Sequence, residues 1–408
     1  MLNKYIRTFL VVVFCAVYTN AQTDYLIFDA IQKVNVDSLK ANLRVLTGVD
    51  SFYHNGNYKR ISSRHKESQG NVYAREYLTS KLSSYGLNVS VEKFEEDGEN
   101  IIAIQKGKSG SNRYVIICAH YDSMPPEGEA PGADDNGSGT AAVIEAARII
   151  SGYDIKYSVV YALWDNEEQG LHGSDFYAAN AALRGDSIIT VINLDMIGWD
   201  GNDDFKADLH SDGRPLTSLL VKEIISINAD YLINLDIELI YPGTSRSDHY
   251  SFWLRNYPAV LLIEDFYSPK GTPNDFNPFY HSPLDQMWRI NYDFYKKMTQ
   301  LALASLSSKA EIMSKAGQIP LANLLYQNYP NPFNDATVIS YYLAKEGNVK
   351  LKIYDLTGRE VEILVDKRQK EGFYQLNYVP GGKLASGVYY YALITDGGND
   401  IRKMLILK

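Results

Sequence analysis

The apolar residues of this chain change their period along its length. Over residues 37–46 and 71–85 they recur at three- and four-residue spacing, which predicts helices, the second stopped by Gly86. Residues 87–94 and 100–106 alternate and read as strands. Residues 114–119 form a continuous apolar run, as a strand buried on both faces requires. An Ala-rich helix over 138–150, a buried strand over 157–163, a helix over 174–184 and a strand over 188–194 follow. Helices over 215–227 and 292–306 flank another buried strand at 258–263. Strands alternating with helices predict a three-layer α/β/α sandwich around a mixed, mostly parallel sheet.

The pattern breaks near Ser307. Residues 307–324 read as a linker, and residues 325–408 hold only short alternating runs separated by Gly-containing turns, the pattern of a small all-β, immunoglobulin-like sandwich. Strands are expected there at 338–343, 349–354, 374–379 and 388–395. At the other end, Lys4 and Arg7 precede an apolar stretch too short to span a bilayer, and Thr19-Asn20-Ala21 supplies small residues before Gln22. Residues 1–21 therefore read as a secretory signal peptide and 22–35 as a short N-terminal segment, leaving 36–306 as the main domain. No later stretch is apolar for long enough to be a transmembrane helix.

Composition adds exclusions. With 408 residues, 45% of them hydrophobic and 22% charged, the chain is globular in character and long enough for two domains. A net charge of −9 without a basic patch argues against a nucleic-acid partner. Cleavage of the signal would leave Cys118 alone, so no internal disulfide is expected, and Cys118 reads as a small core residue.

Polar residues gather where the strands end. The apolar run 157–163 leads into Trp164-Asp165-Asn166-Glu167-Glu168, and two adjacent carboxylates at the end of a buried strand are poor core material. Three more segments carry chemistry: His120-Tyr121-Asp122 after the strand 114–119, the turn Asp134-Asp135-Asn136 before the 138–150 helix, and Asp195 after the strand 188–194. A later loop, Tyr280-His281-Ser282-Pro283-Leu284-Asp285, adds another imidazole. Taken singly, His120 suits a core histidine and Asp135 or Asp195 a helix cap. Together, imidazoles and carboxylates at the carboxyl edge of one sheet suit zinc.

These motifs, in this order, resemble the co-catalytic di-zinc aminopeptidases, the leucine aminopeptidase-like zinc exopeptidases whose relatives include glutamate carboxypeptidase and glutaminyl cyclases. The resemblance covers about residues 36–306. It implies two zinc ions bridged by Asp135, one completed by His120 and Asp195, the other by Glu168 and His281. It implies further that Glu167 is the general base, that Asp122 orients His120, and that Tyr280 donates to the oxyanion. The activity implied is removal of N-terminal residues from peptides. A carboxypeptidase, a cyclase-like enzyme and a non-catalytic binding protein with a relict site are the alternatives on the same scaffold. His249, in Ser247-Asp248-His249, is expected to support the site or pack. Arg246 either binds a substrate carbonyl or carboxylate or pairs with Asp248. Asn166 stands where the family usually has Ala or Gly. The tail, through Gln327-Asn-Tyr-Pro-Asn-Pro-Phe-Asn334 and Ser386-Gly-Val-Tyr-Tyr-Tyr391, resembles the type IX secretion sorting domain. That implies a partner in the secretion machinery and a secreted or cell-surface destination across the outer membrane.

Overall fold

The computed structural model describes residues 21–266, 274–315, 320–380 and 384–407. The leader expected at 1–21 lies almost wholly outside them; only Ala21 falls inside, opening a helix. The chain forms two compact units, one running from Leu26 to Ile319 and one containing Pro320–Lys408.

The first unit is built on eight strands: β1 (Asn88–Lys93), β2 (Glu99–Gln105), β3 (Arg113–His120), β4 (Ser158–Trp164), β5 (Ser187–Leu194), β6 (Lys206–His210), β7 (Asp236–Ile240) and β8 (Ala259–Glu264). They lie in the order β7-β6-β8-β5-β3-β4-β2-β1. The four central strands β8, β5, β3 and β4 are parallel, as are β7 and β6, and the remaining pairings are antiparallel. Eight helices accompany the sheet: α1 (Ala21–Gln32), α2 (Val36–Leu46), α3 (Gln69–Ser83), α4 (Gly139–Ile150), α5 (His172–Arg184), α6 (Pro215–Asp230), α7 (His249–Trp253) and α8 (Tyr292–Lys309). The chemistry at their starts is local: the Asn35 side chain accepts from the Asp37 and Ser38 amides of α2, Ser68 accepts from Asn71 of α3, and Pro215 opens α6.

Ile116, Cys118, Val160, Ala162 and Trp164 pack one face of the sheet against Tyr177, Ala178 and Ala181 of α5 and Phe252 of α7. The intervening residues Val115, Ile117, Val159, Tyr161 and Leu163 are just as buried, and α4 and α8 contact these same strands. Burial on both faces is why these strands read as unbroken apolar runs and not as alternation. The three-layer α/β/α sandwich and its mostly parallel sheet are thus present. Several elements were not anticipated, among them α1 in the segment expected to follow the signal, the short strands Phe52–His54 and Asn57–Lys59, the five-residue, half-polar strands β6 and β7, and α7, a five-residue helix in an aromatic run. The expected linker also begins later than the pattern indicated, since α8 runs to Lys309 and Ile312–Met313 pairs with Asp154–Ile155.

The paired strands of the second unit are antiparallel, and one isolated parallel bridge joins Phe333 to Ile406. Leu324–Leu325, β9 (Thr337–Leu343) and β12 (Gly372–Tyr378) form one sheet. The other contains β11 (Glu360–Gln369), β10 (Gly347–Tyr354), β13 (Gly387–Thr395) and β14 (Gly398–Ile406). Both sheets supply one core, including Ile339, Tyr341, Leu351, Tyr391, Leu393 and Met404. The opening motif serves this fold: Asn328 is buried and donates to Thr337 Oγ1 (2.9 Å), Asn331 Oδ1 accepts from the Leu405 amide (2.8 Å), and Phe333 joins the core.

One buried cation ties several segments of the first unit together. Arg64 is fully buried and donates to the carbonyls of Tyr121 (2.7 Å), Leu46 (2.8 Å), Pro131 (2.6 Å) and Gly132 (2.8 Å). It thereby joins the end of α2, the exit of β3 and the turn before α4. Arg64→Met should lower stability by on the order of 3 kcal/mol or more, because it strands buried carbonyls. Thermal unfolding of the purified variant checks this; an unchanged midpoint would show that water or rearrangement replaces the guanidinium.

Candidate metal centre

Register puts the functional side chains in one row. His120, the last residue of β3, pairs with Trp164 at the end of β4, and Cys118 pairs with Asn193 just before the end of β5. The chain therefore leaves three adjacent parallel strands at one level, delivering His120, the Glu167-Glu168 loop and Asp195 to the same edge. Asp135 arrives from the turn before α4, in non-helical backbone (φ −99°, ψ 97°). His281 arrives from the 274–285 loop.

His120 Nε2 lies 3.4 Å from Asp135 Oδ1 and 3.3 Å from Asp195 Oδ1. His281 Nε2 lies 3.3 Å from the other Asp135 oxygen and 2.8 Å from Glu168 Oε2. Asp135 thus faces one imidazole with each oxygen. Buried Asp135 Oδ2, Glu168 Oε1 and His281 Nε2 have no hydrogen-bond partner, so the donor set meets a cation's needs and its own only poorly. Imidazole nitrogens with carboxylate oxygens are the ligands zinc takes. The five residues read from the sequence as ligands, His120, Asp135, Glu168, Asp195 and His281, are all brought together. Glu167 Oε2 is 4.0 Å from His120 Nε2, and donor spacing alone groups it with His120 and Asp195 as readily as it groups Asp135 and Glu168 with His120.

The electrostatics reflect crowding of like charge. Burial pushes Glu167 well above the usual carboxylate range, and nearby Asp248, Asp195 and Glu168 add to it. Burial and then Asp135 raise Glu168 to about 8. Burial works against charge on the imidazoles, yet Asp135 and Glu168 still hold His281 up at about 10, and Glu167 and Asp195 hold His120 high. Asp135 goes the other way: burial opposes its charge, but the two imidazoles hold it low.

Supporting contacts set each group. Asp122 lies 3.3 Å from His120 Nδ1 and also accepts the Glu167 and Glu168 amides, both at 3.2 Å. It fixes both the imidazole and the carboxylate loop. Asp285, which ends the Tyr280-His281 motif and had no expected role, accepts the Asp134 (3.1 Å) and Asp135 (3.0 Å) amides. Ser247 Oγ donates to Asp195 Oδ2 (2.6 Å), and Asn193 Nδ2 donates to that hydroxyl (2.7 Å). Neither Asp285 nor Ser247 carries a sequence signal of its own; only the fold brings them in. Asn136, not Asp135, caps α4, accepting from Gly139 (2.9 Å). Asn166, Met196 and His281 sit at positive φ (56°, 50° and 54°), a left-handed region that costs a non-glycine residue energy. Asn is the side chain that region tolerates best, which accounts for Asn166 by backbone need; it does not line the cavity.

The cavity, about 140 Å³, is lined by His120, Asp135, Glu167, Glu168 and Asp195, by Tyr280, Thr244, Arg246 and Ser247, and by an apolar wall of Met196, Leu261, Ile263, Phe266 and Phe276. The Tyr280 ring stacks on His281 at 3.6 Å. His249 is elsewhere: fully buried, edge-on to Trp253 at 4.4 Å, its Nε2 2.9 Å from the Thr244 carbonyl.

Residues 100–306, half of the chain, match the model of peptidase family M28. The chain belongs to that family. Residues 327–408 match the model of the secretion system C-terminal sorting domain. A probable zinc metalloprotease of Pyrenophora tritici-repentis is 31% identical over 217 residues, 46% of this chain and 49% of that protein. Leucine aminopeptidase 1 of Phaeosphaeria nodorum is 26% identical over 293 residues, 67% of this chain and 70% of the relative. The chain thus spans from about half to about 70% of the length of these relatives. Among solved structures, the LapA aminopeptidase of Legionella pneumophila superposes with a TM-score of 0.61 at 21% identity, covering 75% of this chain and 79% of that one. A glutaminyl cyclase of Bacteroides thetaiotaomicron does so at 0.52 and 19%, covering 67% and 97%. Both show the shared fold. Membership of peptidase family M28 makes this chain a hydrolase of the peptidase class, and the zinc metalloprotease and leucine aminopeptidase among its relatives support a metallo-aminopeptidase and zinc.

The charge crowding gives a prediction for metal-free protein. Glu168 binds its proton near 8 when folded and near 4.5 when unfolded, so its contribution to stability is full below about pH 4.5 and is lost as pH rises through about 8. His281, at about 10 against 6.5, adds a loss of the same sign over a higher range. Chelator-treated M28 protein should therefore melt at a lower temperature at pH 8 than at pH 6, and zinc should restore it. A midpoint that rises over that interval would contradict the charge assignment.

Proposed function

We propose that this M28 chain is an exported exopeptidase that removes N-terminal residues from peptides with the help of two zinc ions. Asp135 with His120 and Asp195 would hold one, and Asp135 with Glu168 and His281 the other. The observation that carries this reading is the two-sided use of Asp135, each oxygen directed at a different imidazole.

When bound, zinc lowers the pKa of a water toward neutrality and draws electron density from a carbonyl. Everything else falls to this chain's own groups. Glu167, whose buried carboxyl binds a proton more tightly than an ordinary glutamate, takes the proton of the attacking water and returns it to the departing amine. Asp122 keeps Glu167 and His120 in register through the contacts described above. Tyr280, whose hydroxyl is held protonated by burial and by the Asp135 and Glu168 carboxylates, donates to the oxygen that gains charge at the scissile carbon. The apolar wall excludes water and takes an uncharged side chain of the first residue. A full donor set with Glu167 beside it favours hydrolysis over the relict-site alternative.

Three variants separate the roles. Glu167→Ala should keep both zinc ions and lose about 10²–10⁴-fold in kcat. His281→Ala should lose one zinc, whereas His249→Ala should keep both and lose roughly 10–100-fold in activity. Elemental analysis beside kinetics decides; a zinc lost from Glu167→Ala would exchange it with Glu168, and one lost from His249→Ala alone would exchange the histidines.

The same proposal assigns export to the two ends. The apolar leader at 1–21 takes the chain across the inner membrane, and the sorting tail engages the type IX machinery for release or surface display. Truncation after Lys309 should give an active peptidase that stays inside the cell, measured by fractionation. Truncated protein recovered in the medium would refute the role given to the tail.

A further inference from the structure

The loop that closes one side of the cavity is braced in a way the proposed chemistry leaves unexplained. β6 and β7 end side by side, with His210 paired to Ile240. From there residues 241–248 bring Thr244, Arg246 and Ser247 to the cavity wall. The Thr244 peptide is gripped from both sides: its N–H donates to His210 Nδ1 (3.0 Å), and its carbonyl accepts from His249 Nε2 (2.9 Å). Both imidazoles are fully buried. An Nδ1 that accepts leaves the His210 proton on Nε2, which lies 3.7 Å from Asp208 Oδ2. Burial pulls the His249 pKa down to about 3, in keeping with a neutral ring. The brace extends to the neighbours. The Gly243 amide donates to the Ser211 carbonyl (2.8 Å), and a Cβ there would stand 2.9 Å from the Ser211 nitrogen and 3.0 Å from His210 Cβ. The Arg246 amide donates to Thr244 Oγ1 (3.3 Å), and Ser247 Oγ holds Asp195 (2.6 Å).

At the centre of this fixed backbone sits a cation without a partner. Among the described residues the Arg246 guanidinium makes no ion pair or hydrogen bond, and the pairing with Asp248 that the sequence left open is absent, Asp248 being fully buried. Arg246 is exposed where it lines the cavity, and the braced peptide beneath it fixes where its guanidinium can meet a ligand. The apolar wall suits the first residue's side chain, and Tyr280 is assigned to the scissile carbonyl. The acceptor then remaining within one residue's reach is the main-chain oxygen of the residue after the scissile bond: a carboxylate in a dipeptide, a carbonyl in a longer peptide.

We propose that Arg246 binds that oxygen and that His210 and His249 are positioning residues which act by clamping the Thr244 peptide. The proposal rests on the aminopeptidase reading, which fails visibly and first if unsubstituted zinc-loaded protein does not hydrolyse leucine anilide. That substrate has no oxygen beyond the scissile bond, so the quantity to read is the ratio of kcat/KM for leucylglycine to kcat/KM for leucine anilide. Arg246→Ala should lower the ratio about tenfold or more, through KM, with zinc content unchanged. Leucylglycinamide and leucylglycylglycine divide the two forms of the acceptor: a loss confined to leucylglycine assigns a carboxylate, a loss on all three a carbonyl. His210→Phe, which keeps the bulk and removes the acceptor, should lower the same ratio. His210→Asn, whose amide oxygen can accept from Thr244, should restore it in part. In an Arg246→Ala background His210→Phe should lower it no further. An unchanged ratio in Arg246→Ala overturns the binding role. Additive losses in the double variant overturn the clamp. Should His210→Phe not fold, His210→Asn takes its place in the double variant, and additive losses there overturn the clamp equally.

Discussion

Carboxylates that must be buried side by side are the constraint on which this M28 domain depends. Asp135, Glu167, Glu168 and Asp195 line one cavity, with Asp122, Asp134, Asp248 and Asp285 buried behind them. Desolvation makes such charge expensive, and the remedies visible in the fold are specific. Backbone amides face Asp122 and Asp285, where turns present two N–H groups to one carboxylate. Arg64, with the charge of Asp285, Asp122, Asp135 and Glu168 around it, still gives up part of its proton affinity to burial, falling to about 10. Two imidazoles and the Ser247 hydroxyl remain for the four cavity carboxylates. Divalent metal would match that deficit, and unsatisfied atoms of Asp135, Glu168 and His281 lie among these donors.

How much of this was legible in the sequence follows from the type of signal each residue carries. The central strands announce themselves because both faces are buried, so their apolar runs are unbroken. β6 and β7 escape notice because each is short and half polar, and in β6 the buried members include Asp208 and His210. The ligand residues are legible as a set because strand ends concentrate them. Asp285, Ser247 and Arg64 act through backbone amides, a hydroxyl and carbonyls supplied by distant segments, and no local pattern marks such partners. The tail shows the same division: β11 exposes most of its residues and carries little alternation, whereas β9 and β10 were read from their apolar faces.

The tail's opening motif also shows why a recognisable sequence is not in itself a recognition surface. Asn328, Asn331 and Phe333 are spent on buried hydrogen bonds and core packing within the sandwich. A secretion receptor reading this domain would therefore read the shape and surface that these residues make possible, while substituting them would act first through folding. The same caution applies to His249, whose motif suggests a ligand and whose ring is a backbone clamp.

His281 differs from the other donors in a way that bears on how the centre assembles. His120, Glu168 and Asp195 leave the sheet edge within a few residues, so the strands fix them. His281 comes from a loop and remains partly exposed, its side chain 32% accessible, with the Tyr280 ring on its face. That loop is nevertheless stitched to Asp135. The Asp285 carboxylate holds the Asp134 and Asp135 amides, and its carbonyl accepts from Ala133 (3.1 Å). Asn277, at the loop's start, donates to Asp134 Oδ2 (3.1 Å). Displacing the loop would disturb Asp135, and a disturbed Asp135 would weaken the His120 group as well as the His281 group. The two halves of the centre are therefore coupled through one turn, and the residue that couples them is Asp285, which binds neither.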